Sequence, residues 1–193
     1  MIDKIYEYLK NNLSQYRYDH VMRVCEIALD LGKIFDVDLD KIKICALLHD
    51  CAKDISIEDL KKISIENNLL KEEEYDYGSI LHSAVGAFIA KEKFNIHDED
   101  ILNGIAYHTT GRANMSLLEK VIFVSDKIEE GRDFKGVFDL RKMAKIDLDE
   151  TIVMYFNMEL TRLISKNKCI HPKSVECRNF YILSNTKKED LNE

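Results

Sequence analysis

Proline occurs once in this chain, at position 172, so nothing of its kind interrupts a helix over the preceding 171 residues. Into that freedom the sequence writes apolar residues three and four apart, with little of the alternation a half-buried strand requires. Amphipathic helices are expected over residues 2–13 and 18–35, with Ile2, Ile5, Tyr6 and Leu9 on one face of the first and Val21, Val24, Cys25, Ala28 and Leu31 on the second. A third is expected to be capped by Asp40 and to run through Ile42, Cys45 and Leu48 to His49 and Asp50. Ser56 with Asp59 opens a short helix through Leu60, and others are expected over 80–94 and from Asp98 toward His108, stopped at Gly111. Ser116 and Glu119 form a capping box for a helix reaching about Glu130 and ended by Gly131. Helices over 138–143 and 148–164 follow, then a turn or short helix after Pro172 and a tail, 184–193, that should fray. The expected class is all-α.

A chain of 193 residues suits one domain with an ordinary core. Its formal net charge of −7 disfavours DNA, RNA and anionic membrane surfaces as partners, although a bound cation can reverse the field locally. The acidic runs KEEEYD and KKEDLNE read as solvated surface, as does His97. Five cysteines, none in a CxxC pair, together with an N-terminus lacking a signal-peptide pattern, lead us to expect a reducing, cytoplasmic setting. Cys25 and Cys45 read as buried thiols, and Cys51 stands beside the polar pair without being counted as a ligand. No segment is apolar for long enough to span a bilayer.

Six histidines are present, and His20, His49, His82 and His108 fall within or at the ends of helices that otherwise read as core. One such histidine would ordinarily be structural. Asp50 and Asp126 change the balance, because a buried unpaired carboxylate is costly and a cation compensates it directly. Adjacent side chains in mid-helix point about 100° apart, but at a helix end His49 and Asp50 can both reach an ion lying across the terminus. Imidazole with carboxylate suits iron, manganese, zinc and related ions.

His20, the His49–Asp50 pair and Asp126 resemble the H…HD…D pattern of the HD-domain phosphohydrolases. The stretches HDCAKD, LHSAVGA, YHTTGRANMSLLEKVIFVSDKIEEGRDF and IHP resemble the bacterial YqeK-type symmetrical bis(5'-nucleosyl)-tetraphosphatases, over about residues 16–180. The HD pair alone is weak evidence, whereas the ordered set is specific. The resemblance implies a single HD-domain helical bundle over residues 1–183, with its core at about 16–130 plus C-terminal helices. It implies hydrolysis of diadenosine tetraphosphate to two ADP. It also implies a centre of two divalent or mixed-valence metal ions, iron first, with Mn, Co, Zn or Mg as alternatives. His20, His49, Asp50 and Asp126 would form the basic ligand set and His82 and His108 would complete the second ion's shell.

Two metals could activate a water and offset charge on phosphoryl oxygens and the departing ADP. Symmetrical cleavage further requires a second subsite for the distal nucleotide. The catalytic candidates are Asp50, Lys53, Asp54 and Arg132; the substrate contacts are Arg23, Lys53, Thr109, Arg112 and Arg132. Solvent ion pairs compete as readings for Lys53, Arg112 and Arg132, a ligand-orienting role for Arg23, and a cap of the following helix for Asp54. His171 is expected to pack structurally or touch the nucleotide. A dinucleoside polyphosphate is the expected partner, and a homodimer stays open. Two rivals stand beside this reading: an HD hydrolase of another nucleotide or alarmone, and a helical sensor or scaffold whose metal is structural.

Overall fold

The computed structural model describes residues 1–190, with side chains described through Ser184. The tail expected to fray and the KKEDLNE run extend beyond those side chains. Among the described residues, ten α-helices follow in order: α1 (Ile2–Asn12), α2 (Gln15–Ile34), α3 (Leu39–Leu48), α4 (Ile57–Glu66), α5 (Gly78–Phe94), α6 (Glu99–Tyr107), α7 (Leu117–Ile128), α8 (Val137–Met143), α9 (Leu148–Ser165) and α10 (Pro172–Asp190). A 3-10 turn, Glu72–Glu74, lies between α4 and α5, and no strand occurs among the described residues. No helix of the described residues is long and apolar enough to cross a membrane.

Local chemistry places the boundaries. The Ser14 hydroxyl accepts the Arg17 amide and opens α2 earlier than the apolar spacing alone suggests. Asp38, not Asp40, caps α3; its carboxylate accepts the Asp40 and Lys41 amides. Ser116 and Glu119 form the expected reciprocal box at α7. That helix ends at Ile128, short of Gly131, because Glu129 swings into extended backbone and turns its carboxylate inward. The last helix is longer than the expected turn: Cys177 and Tyr181, one turn apart, are both buried, and the Tyr181 hydroxyl accepts the Met115 amide.

The central layer is α2, α3, α6 and α7, with α5 laid on α6, and α9 and α10 closing the far side of α7. Val21, Val24, Ala28, Leu47, Leu48, Ile105, Val121 and Ile122 are fully buried there. A smaller cluster, Ala52, Leu60, Leu81 and Val85, glues α4 to α5. The polypeptide thereby delivers the C-terminal ends of α3, α6 and α7 and the inner faces of α2 and α5 to one place.

Gly104 sets how closely α6 approaches that layer. A Cβ there would lie 2.5 Å from Cys45 Sγ and 3.2 Å from Leu118 Cδ2. Alanine gains about 1 kcal/mol in helix propensity but overpacks a filled core, at a cost of about 1–3 kcal/mol. Gly104→Ala is therefore expected to lose about 1 kcal/mol net, read as a lower urea midpoint with an unchanged slope. A higher midpoint would mean that α6 can shift away freely.

Candidate metal centre

Four histidines and two aspartates converge. His20 comes from α2, His82 from α5 and Asp126 from the last turn of α7, while His49, Asp50 and His108 immediately follow α3 and α6. All six are buried. Asp50 sits at the junction: Oδ2 is 3.6 Å from His20 Nε2 and 3.7 Å from His49 Nε2, and Oδ1 is 3.2 Å from His82 Nε2 and 3.4 Å from His108 Nε2. The set thus divides into His20–His49–Asp50 and Asp50–His82–His108, two groups with metal-holding spacing that share one carboxylate. Asp126 joins the first group, its Oδ1 lying 3.2 Å from His20 Nε2.

The histidines are aimed by what their other nitrogen does. His49 Nδ1 is 2.7 Å from the Ala46 carbonyl and His108 Nδ1 is 2.8 Å from that of Ile105, each three residues back at its helix end. Those carbonyls need a donor, so Nδ1 carries the proton and Nε2 presents its lone pair inward. His20 Nδ1 contacts Glu129 Oε1 at 3.2 Å, giving the carboxylate–histidine arrangement common around metals.

Basic side chains compensate the outer sides of Asp50 and Asp126, but the inner atoms are left without partners. His20 Nε2, His49 Nε2 and Asp50 Oδ1 are buried without a hydrogen-bond partner. His82 and His108 hold Nε2 atoms 3.1 Å apart. Lone pairs and carboxylate oxygens pointed at one another in a dry pocket describe a donor set for a divalent cation, and N/O chemistry of this kind fits one.

Protonation states agree. Burial first, then the neighbouring His108 and His20, push the His49 imidazole down to about 4 against the pull of Asp50. Burial also lowers His82 and His108, so all three are neutral at physiological pH. Burial alone would raise Asp50, but His49, His108 and His82 outweigh it and hold its carboxyl well below the usual range. Asp126 is likewise held low, with Lys127, His20 and Arg132 overcoming burial.

Around this core, Lys53 Nζ lies 3.1 Å from His82 Nε2, and burial lowers its pKa. Thr109 Oγ1 is 3.2 Å from His108 Nε2. Arg132 donates to the Asp126 carbonyl at 2.8 Å and to its carboxylate at 2.5 Å. Arg23 pairs with Glu129 at 2.5 Å, on the outer side of His20. Two candidates stand apart. Arg112 is clamped through two bonds by Glu119, the capping-box residue, and Asp54 is exposed, accepting the Ser14 amide at 2.7 Å. Asp54 therefore tethers the start of α2 instead of capping the helix that follows it. The Cys51 thiol is buried toward the Gly86 carbonyl.

Sequence reasoning passed over Arg17, which donates to Asp50 at 2.7 Å, and Glu129 and Lys127, which hold His20 and Asp126. Spacing offered a signal for two of them: Arg17 precedes His20 by three residues and Glu129 follows Asp126 by three. The KEEEYD run is not wholly solvated either. Glu74 is buried, ion-paired with Lys173 and 3.5 Å from His171, which packs edge-on against Tyr77.

Arg141 holds the turn behind the centre. It donates to the carbonyls of Ile128, Glu129 and Arg132 at 2.8–2.9 Å. Arg141→Ala should cost about 2–3 kcal/mol, the scale of losing a charged donor from several acceptors. Chemical denaturation measures this; a loss below about 0.5 kcal/mol, the scale of an ordinary surface substitution, would show that the turn holds without it.

The HD-domain family pattern matches residues 17–131. The chain is 38% identical to the symmetrical bis(5'-nucleosyl)-tetraphosphatase of Halalkalibacterium halodurans, over 93% of this chain and 96% of that protein. It is 38% identical to the protein of the same name from Staphylococcus aureus, over 98% of each, and 36% identical to that of Bacillus subtilis, over 90% and 94%. A crystal structure from Clostridium acetobutylicum, described as a predicted HD superfamily hydrolase involved in NAD metabolism, matches with a TM-score of 0.92 and 42% identity, covering 95% of this chain and 98% of that one. With its donor set in the order of that pattern, the chain belongs to the HD-domain family and, within it, groups with the symmetrical bis(5'-nucleosyl)-tetraphosphatases.

Proposed function

We propose that this protein hydrolyses diadenosine tetraphosphate and related dinucleoside polyphosphates symmetrically, giving two ADP from the former. The observation that supports this most is Asp50, one carboxylate shared by two histidine groups, in a chain matched along its length by relatives of that name. His20, His49, Asp50 and Asp126 would hold one cation, and Asp50, His82 and His108 the other; iron is the metal we expect first. When bound, such a pair supplies Lewis-acid activation of water and of phosphoryl oxygens.

The protein's own groups do the rest. Lys53, beside His82, is placed to meet a phosphoryl oxygen with positive charge in a dry setting, where that charge counts most. Thr109 can donate its hydroxyl to the same region. Arg132 and Lys127 hold Asp126 and present further positive charge toward the departing ADP, a stable anion that needs charge compensation more than a proton. Arg17 and Arg23 act through Asp50 and Glu129 by fixing the orientation of His20 and the shared carboxylate. Arg112 would have to leave Glu119 before meeting phosphate, so we rank it below Lys53 and Arg132.

Anaerobically prepared, metal-loaded protein incubated with diadenosine tetraphosphate should yield ADP as the sole nucleotide product. AMP with ATP would overturn the symmetrical assignment, and a marked preference for a mononucleotide would overturn the substrate class.

A further inference from the structure

A cleft of about 880 Å³ lies between α9 and the turn joining α7 to α8. Its inner end is made by Lys127 and Arg132, both bonded to the Asp126 carboxylate, so those two side chains link it to the six-residue centre. Its walls are Phe134, Tyr155 and Met158, mostly apolar surface, and Lys135 stands among them. Arg132 spends Nε and Nη2 on Asp126, which leaves Nη1 to meet an anion. A positive entrance leading into an aromatic, apolar slot suits a phosphorylated nucleoside: phosphate at the arginine and lysine, base against the rings. The cleft is also large enough for one nucleoside with room to spare.

We infer that this cleft is the subsite for the second nucleoside of the substrate, the one that departs with the leaving diphosphate; the inference rests on the symmetrical hydrolysis proposed above. Water attacks one of the two phosphorus atoms flanking the central bridging oxygen, the bond from that phosphorus to the bridge breaks, and the bridging oxygen leaves on the second ADP. That ADP lies opposite the incoming water and needs positive charge and a place for its base. A second cavity, under α5 and α6, borders the centre's neighbours Ser83, Tyr107 and Thr110, but it has no arginine in its lining and no lining side chain bonded to Asp50 or Asp126, so it is the poorer fit.

The test compares diadenosine tetraphosphate with adenosine 5'-tetraphosphate, which has one nucleoside, on metal-loaded wild type, Phe134→Ala and Met158→Trp. Phe134 is 37% exposed, so its truncation spares the fold even if the bulkier tryptophan does not. Each variant is expected to raise KM for the dinucleotide about 10-fold, the scale of losing one base–aromatic contact, with kcat little changed. The constant for adenosine 5'-tetraphosphate, as substrate or competitor, should stay within about twofold, since removing a contact the ligand does not make has no cost. Equal losses on both ligands, or none on either, would overturn the subsite while leaving symmetrical hydrolysis in place. Wild type that makes no ADP from the dinucleotide would overturn both.

Discussion

Asp50→Asn is expected to lower kcat for dinucleotide hydrolysis by roughly a thousandfold or more, corresponding to about 4 kcal/mol of lost transition-state stabilisation, with the helical fold kept. Asp50 is the only residue common to both histidine groups, with one oxygen toward His20 and His49 and the other toward His82 and His108. An amide keeps the shape but removes the negative charge, and one of its two ends becomes a donor that repels a cation. Both halves of the centre should therefore fail together. The same change strands Arg17, which now pairs with that carboxylate, so a modest stability loss is expected alongside. Circular dichroism with metal analysis separates the effects: a folded protein with depleted metal and no turnover is predicted. Full activity in this variant would remove Asp50 from the reaction.

The metal-free protein should be markedly acid-labile between about pH 6.5 and pH 4. His49 is held down to about 4 in the fold, against about 6.5 when unfolded. In that window the unfolded chain binds the proton and the folded chain does not, so stability falls as pH falls. The loss begins below the unfolded value and saturates below the folded one, reaching roughly 3 kcal/mol from His49 alone. His82 and His108 are lowered too and add in the same direction. Asp50 and Asp126, held low, contribute stability that is lost only at still lower pH, as their folded carboxyls protonate. Protons also compete with metal for the same imidazoles, so affinity should weaken across this range. Urea titrations of chelator-treated protein at about pH 7, 5.5 and 4.5 measure the first effect, and equal midpoints at all three would contradict it.

The convergence of the six candidate donors was legible because helix periodicity and caps operate over a few residues. Apolar spacing carries α3 inward to His49 and Asp50, Gly111 stops the chain just beyond His108, and the Ser116–Glu119 box sets the register that brings Asp126 to the centre. What was not legible depends on how helices pack. Arg17 reaches Asp50 across α2 and the end of α3, and Arg23 reaches Glu129 across more than 100 residues of sequence, pairings that only interhelical geometry decides. Glu129 went unread although it follows Asp126 by three residues; that it meets both His20 and Arg23 depends on how α7 packs against α2. Glu74 was hidden by its acidic neighbours, since composition reports the run and not the one member that meets Lys173. Arg112 is the reverse case: spacing left it open between a phosphate contact and an ion pair, and packing pairs it with the capping glutamate Glu119.

The central claim, that two cations are held on either side of Asp50, is tested most directly by anomalous diffraction at the metal's absorption edge from crystals of anaerobically loaded protein. Two peaks are predicted, one among His20, His49, Asp50 and Asp126 and one among Asp50, His82 and His108. Density only elsewhere on the molecule, with these six side chains in place and no peak between them, would contradict the account.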